Sequence, residues 1–517
     1  LKNKMANFTS SPGVKLNEID RSQITGVPVT VGAAIIGPTV KGPVEIPTLV
    51  TSYSEFKNKF GGSLTSGSQT YTFLTSISAY NYFTEGGESL LVARVVDGTF
   101  TSATSSVIPG INVTEPFSLE TISEGVIANS GPGTHNTDGT IDNGTVDNVR
   151  FEISGINTGS GTFNVIVRQG NDKRDDKIIL ETFNGVSLDP NQSNYISKVI
   201  GDEVVAYDSA TNQIDVTSGE FPNQSQYIRV KAVNNPTPDY FDNSGNAKTA
   251  FTGSLPKVED EITSISGSFG GAEGSVAGGA NFYKDIDTQT QGLAGSDYDN
   301  MINLLSNTND FKFNILSTPG LTNDNHTSQI SSLINNTIQR GDNIFIMDTV
   351  DYNGTLSQAL VNAASRNTSY AATYWPWLQI QDPETGKLVF VPASTLIPGV
   401  YAHNDKVANT WNAPAGISRG GLSTVNRAKL KLTEANKSDL YDGNINPIAT
   451  FPRKGVVVFG QKTLQKAASA LDRVNVRRLL IDLKSFIGQI ADTIVFEQNT
   501  ATTRNKFIAE VTPFLET

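Results

Sequence analysis

The residue types that carry enzymatic chemistry are sparse in this sequence, and the histidine spacing matches no metal site. His135 and His326 lie in polar stretches, and His403 precedes an Asn-Asp pair. None belongs to a His-x-x-x-His or His-Glu-x-x-His pattern, which would present two imidazoles as ligands on one helix face. The chain has no cysteine, which removes thiolate zinc sites, iron–sulfur clusters and Cys nucleophiles. We therefore expect no metal, no cofactor and no enzymatic activity.

A glycine-rich stretch and the tryptophans are the remaining candidates for ligand binding. Gly270–Gly274 contains the anion-repelling Glu273, and no Gly-Lys-Ser/Thr follows, so a phosphate-binding loop is not supported. We expect a connector or a turn there. Trp375, Trp377 and Trp411 could stack on a sugar or a base, although tryptophans in an α/β chain more often anchor the packing.

Length and charge narrow the function classes. At 517 residues the chain exceeds what one hydrophobic core usually organises, so about two to four domains are expected. The 51 acidic residues outnumber the 39 basic ones, and the resulting net charge of -12 argues against a nucleic-acid partner. No stretch approaches the roughly 18 uninterrupted apolar residues of a membrane span, so membrane insertion is not expected. Hydroxyl and amide side chains must cover most of the surface, as in many β-rich extracellular and virion proteins.

Apolar periodicity predicts a multidomain α+β protein whose α/β core is discontinuous. Residues 26–97 show strand, helix and strand signals in β-α-β order, ending on the almost wholly apolar run Leu90–Val96. Residues 98–297 carry short alternating runs, which predict an inserted β-rich region that protrudes from the core. Residues 298–517 alternate helix and strand signals again, as a second part of the core would.

The strongest helix signal lies near the end of the chain, after an expected cap at Asn475. Apolar residues keep a 3.6-residue period there, at Val476, Leu479, Leu480, Leu483, Ile487, Ile490 and Ile494. Arg473, Arg477 and Arg478 lie near its first turn, away from the apolar stripe. Two interpretations stay open: an ordinary solvated surface, or a basic surface that docks on an acidic partner. Farther on, Phe507–Phe514 alternate weakly, as a strand would.

Short motifs follow one another in two blocks of the chain. The first block contains Ser11–Val14, Gly37–Pro38, Lys41–Pro43, Gly86–Gly87 and Arg94–Val95. The second contains Val391–Pro392, Gly399–Ala402, Ala413–Gly416, Asn444–Pro447, Val458–Gly460 and Asp472–Leu479. In order and spacing these motifs resemble the tail sheath proteins of contractile-tailed phages (myoviruses), most closely the T-even type. The resemblance covers about residues 10–97 and 150–515.

The resemblance implies a structural protein of the virion tail, assembled in the host cytoplasm. Family members stack as hexameric rings around a tail tube, and they contract when the baseplate triggers, driving the tube through the host envelope. The implied partners are other sheath subunits, the tube protein, and the baseplate and terminator proteins. The energy of contraction would come from repacking of subunit interfaces between two lattices.

The resemblance also implies an extended N-terminal arm that donates a strand to a neighbouring subunit. Here the arm corresponds to residues 1–25, and Pro12, Gly13, Val14 and Leu16 are its candidate assembly residues. Family members continue past the position of Phe514 with further strands and a C-terminal arm, so the chain is expected to be C-terminally truncated.

The candidate assembly residues near the long helix are Arg473, Arg477 and Arg478, which we expect to meet an acidic tube or a neighbouring sheath surface. Two alternatives remain. The first is the sheath of a related contractile injection system, whose subunits usually lack so large an insertion. The second is a β-rich surface adhesin or carbohydrate-active protein, which the polar composition and the tryptophans would suit.

Overall fold

The computed structural model describes residues 30–66, 69–124, 136–257, 264–275, 282–284 and 286–516. The predicted N-terminal arm, with Pro12, Gly13, Val14 and Leu16, and also His135 lie outside the described residues. The described chain mixes helices and strands as a multidomain α+β protein.

The helices and strands fall into three successive stretches of the chain. The first holds β1 (Thr30–Gly37), β2 (Thr48–Val50), α1 (Tyr53–Phe60), β3 (Leu64–Ser66), β4 (Gln69–Tyr71), α2 (Leu74–Thr84) and β5 (Leu90–Arg94). The second holds β6 (Asp97–Phe100), β7 (Ser102–Ser105), β8 (Phe117–Glu124), β9 (Val149–Asn157), β10 (Thr162–Gln169), β11 (Ile179–Ser187), α3 (Ile196–Ile200), β12 (Val204–Asp208), β13 (Gln213–Ser218), β14 (Ile228–Val233), α4 (Thr249–Thr252), β15 (Ser264–Gly267), β16 (Phe269–Gly270), β17 (Glu273–Ser275), β18 (Gln289–Thr290) and β19 (Leu293–Ala294).

The third stretch holds α5 (Asp299–Leu304), β20 (Lys312–Thr322), α6 (Thr327–Arg340), β21 (Ile344–Asp348), α7 (Leu356–Ala364), β22 (Ala371–Trp375), β23 (Leu378–Gln381), β24 (Leu388–Val391), α8 (Ile397–Val407), β25 (Val425–Ala428), α9 (Glu434–Asp442), β26 (Asn446–Phe451), β27 (Gly455–Val458), α10 (Val474–Asp492) and α11 (Ala501–Leu515).

An eight-stranded sheet joins the first and third stretches of the chain. Its order is β2-β5-β1-β20-β21-β22-β26-β27, with six parallel central strands and an antiparallel strand at each edge. Strand β1 lies between β5 and β20, with Ala33 opposite both Leu90 and Ile315. All five residues of β5 are buried, which is typical of a parallel sheet covered on both faces.

Alternate residues of these strands build two apolar cores, one on each face of the sheet. Ala33, Ile35, Val92 and Ile346 belong to the core that packs on α1, α2, α8 and the start of α10. The other core receives the intervening strand residues and packs on α5, α6, α7 and α9. The period-2 alternation of a strand is what divides the residues in this way.

The second stretch of the chain builds two four-stranded sheets, β11-β10-β9-β15 and β14-β8-β7-β16. They share one apolar core, in which the rings of Phe117 and Phe163 stack with centroids 5.2 Å apart. The fully buried Arg94 lies where the second stretch of the chain joins the central sheet. It donates hydrogen bonds to the carbonyl oxygens of Gly42 and Glu124.

Two local predictions near the end of the chain are wrong. Helix α10 begins at Val474, and Asn475 does not cap it, since its side chain donates instead to the carbonyl oxygen of Trp411 at 3.1 Å. Residues Phe507–Phe514 lie in helix α11 rather than in a strand, and Thr500 caps that helix by accepting from the Thr503 amide at 3.2 Å. Within the described part of the chain, no helix is both long and apolar enough to cross a membrane.

Candidate assembly surfaces

The first turns of α10 bury the two arginines that were expected on the surface. Arg477 and Arg478 are only 5% and 3% exposed, and they share the buried face of α10 with Val474 and Ile481. These four positions are spaced i, i+3, i+4 and i+7, which places them on one side of a helix. The side of α10 that packs on the core beside the central sheet is therefore the arginine side.

Arg478 forms a bidentate ion pair with Asp405 of helix α8. Its Nη1 donates to Asp405 Oδ1 at 2.8 Å, and its Nη2 donates to Asp405 Oδ2. The guanidinium also lies 4.7 Å from the ring centroid of Tyr401, whose hydroxyl is hydrogen-bonded to that of Tyr374 at 2.6 Å. Burial raises the pKa of Tyr401 to about 12. A guanidinium held by a carboxylate and an aromatic face can stay charged although it is buried.

Arg477 and Arg473 are also engaged within the chain, to different degrees. The Arg477 guanidinium lies 4.0 Å from the ring centroid of Tyr370 and donates to the Ser369 hydroxyl. Arg473, whose side chain is 37% exposed, pairs with Asp472 at 3.1 Å and donates to the Tyr441 hydroxyl. The prediction that Arg477 and Arg478 lie on the surface is thus wrong, because their counter-groups lie on the same chain. Only Arg473 keeps an accessible side chain.

The apolar stripe of α10 is the side that the chain leaves half-exposed. None of the stripe residues within the helix is fully buried. These residues are Val476, Leu479, Leu480, Leu483, Ile487 and Ile490. Just beyond the helix, Val495 is 63% exposed and Phe496 is wholly exposed. Helix α11 packs on α10 by stacking Phe514 on Phe486, with centroids 4.0 Å apart, yet leaves Ile508 57% exposed. Soluble monomers rarely expose contiguous apolar patches of this kind unless a partner covers them.

The groups that could do chemistry are dispersed. Within the described residues no group of three or more His, Asp or Glu side chains could hold a metal ion. His326 is 3% exposed, and its Nδ1 accepts from the Thr322 amide at 3.2 Å, which is a structural hydrogen bond. Trp375 and Trp377 are 4% and 3% exposed, so they anchor the packing and do not form an accessible stacking platform.

The sequence also contains one enzyme-like spacing, because Gly416-Ile417-Ser418-Arg419-Gly420 has the Gly-x-Ser-x-Gly pattern of a nucleophile elbow. An elbow requires a turn from a strand into a helix. Here the segment lies in turns that pair with edge strand β27, through hydrogen bonds of Gly416 and Gly420 to Val458. Ser418 makes no hydrogen bond to a histidine or a carboxylate in the described part of the chain. The pattern therefore lacks the setting of a nucleophile.

Comparison with known proteins shows what the central region is similar to. Residues 293–464 match a family model described as the phage tail sheath protein central domain. A tail sheath protein of Vibrio phage KVP40 is 37% identical over 161 residues, which are 31% of this chain and 24% of that protein. A tail sheath protein of Enterobacteria phage T4 is 37% identical over 127 residues, 25% of this chain and 19% of that protein.

A solved structure shows the same fold over most of the chain. The crystal structure of a sheath tail protein from Listeria innocua superposes with a TM-score of 0.54, at 10% sequence identity. The alignment covers 94% of this chain and 84% of that one. By contrast, the sequence matches to the curated relatives span about a quarter of their length or less.

Proposed function

We propose that this protein is the subunit of a contractile phage tail sheath. Its copies stack as hexameric rings around a tail tube and contract to drive the tube through the host envelope. The observation that carries the proposal is the sheath-domain match of residues 293–464, which contain five of the eight strands of the central sheet. The curated relatives are phage proteins, which supports the phage setting over an injection-system sheath.

The exposed apolar side of α10 and α11 supports a polymer subunit. The half-exposed stripe and the neighbouring Phe496 leave apolar surface in contact with water in the described chain. Each half-exposed leucine or isoleucine gains about 1 kcal/mol when a partner removes its remaining apolar surface from water. We assign this face to contacts in the assembled tail.

The wider organisation follows from the same proposal. Residues 26–97 and 298–517 form the core, residues 98–297 form a β-rich insertion that faces outward, and residues 1–25 form the arm that links neighbours. Pro12, Gly13, Val14, Leu16 and the accessible Arg473 are assembly residues in this scheme. The partners are further sheath subunits, the tube protein, and the baseplate and terminator proteins of a tail built in the host cytoplasm.

Substitutions on α10 test the assignment of the apolar face. Leu483→Asp and Ile487→Asp place a charge on the half-exposed stripe, whereas Gln489→Asp places it at an exposed position of the same helix. The complete reading frame is expressed with its tube protein, and assembled material is separated from free subunits by sedimentation. We expect the two stripe variants to lose assembly at least tenfold while circular dichroism stays native, and Gln489→Asp to assemble like wild type.

Two results would oppose the proposal. If the stripe variants assemble as well as Gln489→Asp, the apolar face is not an assembly surface. If the wild-type protein does not sediment with the tube at any concentration, the sheath function itself is refuted.

A further inference from the structure

Three cationic side chains converge on two aromatic rings near the carboxyl ends of strands β21 and β22. We call Lys284, Arg427 and Lys429 the cationic patch. The Nζ atoms of Lys429 and Lys284 lie 4.2 Å and 4.9 Å from the ring centroid of Tyr352. The Arg427 guanidinium lies 5.6 Å from the centroid of Phe390, and the two rings are themselves 5.2 Å apart.

The fold holds the cationic patch in place. Phe390 is buried in strand β24, and Arg427 lies on β25, where its Nε donates to Gln379 Oε1 on β23 at 2.7 Å. Lys429 is fixed at both ends: its backbone amide donates to the Trp377 carbonyl oxygen at 2.8 Å, and its Nζ donates to the Tyr352 carbonyl oxygen. Positions fixed in this way lose little further conformational entropy when a ligand binds.

No carboxylate of the described residues forms an ion pair with any member of the cationic patch. Burial lowers the pKa of Lys429, the charge of Asp351 opposes that shift, and the charge of Lys284 adds to it. The two ammonium groups, both close to the Tyr352 ring, therefore repel each other. A carboxylate placed between them would relieve this repulsion and would keep both cation–π contacts.

We infer that the cationic patch receives an acidic segment of a second copy of this chain. The inference rests on the proposed self-assembly. Charge complementarity supports it: the chain has 51 acidic and 39 basic residues, so identical copies repel one another unless unpaired cations meet carboxylates across the contact. The aromatic rings beneath the patch lower the local polarity, which strengthens such a charge contact.

The test combines a crosslink with an assembly measurement on the complete reading frame. A photo-crosslinking amino acid replaces the exposed Arg427, and assembled material is irradiated and analysed by mass spectrometry. In parallel, the double variant Arg427→Gln with Lys429→Gln is compared with Lys231→Gln, which removes an exposed lysine of strand β14. We expect crosslinks to Asp- or Glu-rich peptides of a second copy, and a concentration for half-maximal assembly that rises about tenfold, equivalent to about 1.4 kcal/mol.

The outcomes separate the two proposals. Two results would overturn the inference and leave the sheath function standing. The first is that crosslinks form only to tube protein or nucleic acid. The second is that the double variant assembles like Lys231→Gln while wild type assembles normally. Failure of the wild-type protein to assemble would refute the sheath function, and the inference would fall with it.

Discussion

Asp348 is a buried carboxylate at the end of the central strand β21, and no lysine, arginine or histidine of the described residues forms an ion pair with it. It is 4% exposed, its Oδ1 accepts from the Ser394 amide at 3.1 Å, and its Oδ2 accepts from the Ser394 hydroxyl. Burial raises its pKa from 3.8 to about 7, against the opposing effect of the Ser394 hydrogen bonds. The carboxyl group is therefore held partly neutral near neutral pH.

The sign of the pH dependence follows from this raised pKa. Between pH 4 and pH 7 the folded protein holds a proton that the unfolded chain has released, so stability falls as the pH rises through this window. About three pH units at about 1.4 kcal/mol each give a total cost of about 4 kcal/mol above pH 7. About 1.4 kcal/mol of that cost develops between pH 6 and pH 8. The sequence pI is near 4.9, so the net charge of the protein stays negative throughout this range.

The substitution Asp348→Asn removes the titration and keeps the shape of the side chain. Its oxygen can accept from the Ser394 amide, and its NH2 group can donate to the Ser394 hydroxyl after that hydroxyl rotates. We therefore expect Asp348→Asn to stabilise the protein by about 1.4 kcal/mol more at pH 8 than at pH 6.

Urea unfolding followed by tryptophan fluorescence measures the effect, because Trp375 lies in strand β22 next to β21. Asp439→Asn, at an exposed position of helix α9, controls for the change in net charge. A difference between Asp348→Asn and wild type that is the same at both pH values would refute the reasoning. So would an equal pH effect in Asp439→Asn.

Two further substitutions test the contacts that hold the helices of the core. Asp405→Asn leaves the buried Arg478 guanidinium without its ion-pair partner and should cost about 3 kcal/mol. This loss should exceed that of Arg478→Met, which leaves a partly exposed carboxylate, and urea unfolding of both variants checks the order. Gly61→Ala should cost on the order of 2 kcal/mol, because an added Cβ would lie 2.7 Å from Val40 at a φ of +76°. Gly98 has the same φ but open space around it, so Gly98→Ala measures the cost of the backbone strain alone. Equal losses of stability at both glycines would contradict a clash with Val40.

The alternating core elements were predictable because their periodicity is strong. Leu90–Val96 is apolar except for Arg94, as suits a strand covered on both faces, and its first five residues form β5. Helix α6, one of the helix signals in residues 298–517, buries Ile330, Leu333 and Ile334 on one face, which is the period that predicts a helix. These patterns depend on the local chain and not on distant partners.

The orientation of α10 could not be read from the same pattern. Its apolar stripe is the strongest of the chain, so periodicity alone assigns the stripe to the core. The structure buries Arg477 and Arg478 instead, because Asp405 and Tyr370, distant in sequence, supply a carboxylate and a ring. Helix α11 was missed for a local reason, since the Thr500 cap was overlooked in favour of a weak alternation.

The central claim is that copies of this protein form a contractile sheath, and electron microscopy of the complete reading frame tests it most directly. The protein is assembled with its tube protein and imaged before and after exposure to a contraction trigger such as mild denaturant. The account predicts tubes of stacked six-fold rings that become shorter and wider after the trigger. Isolated particles that never form tubes, or tubes whose length is unchanged under every trigger, would contradict it.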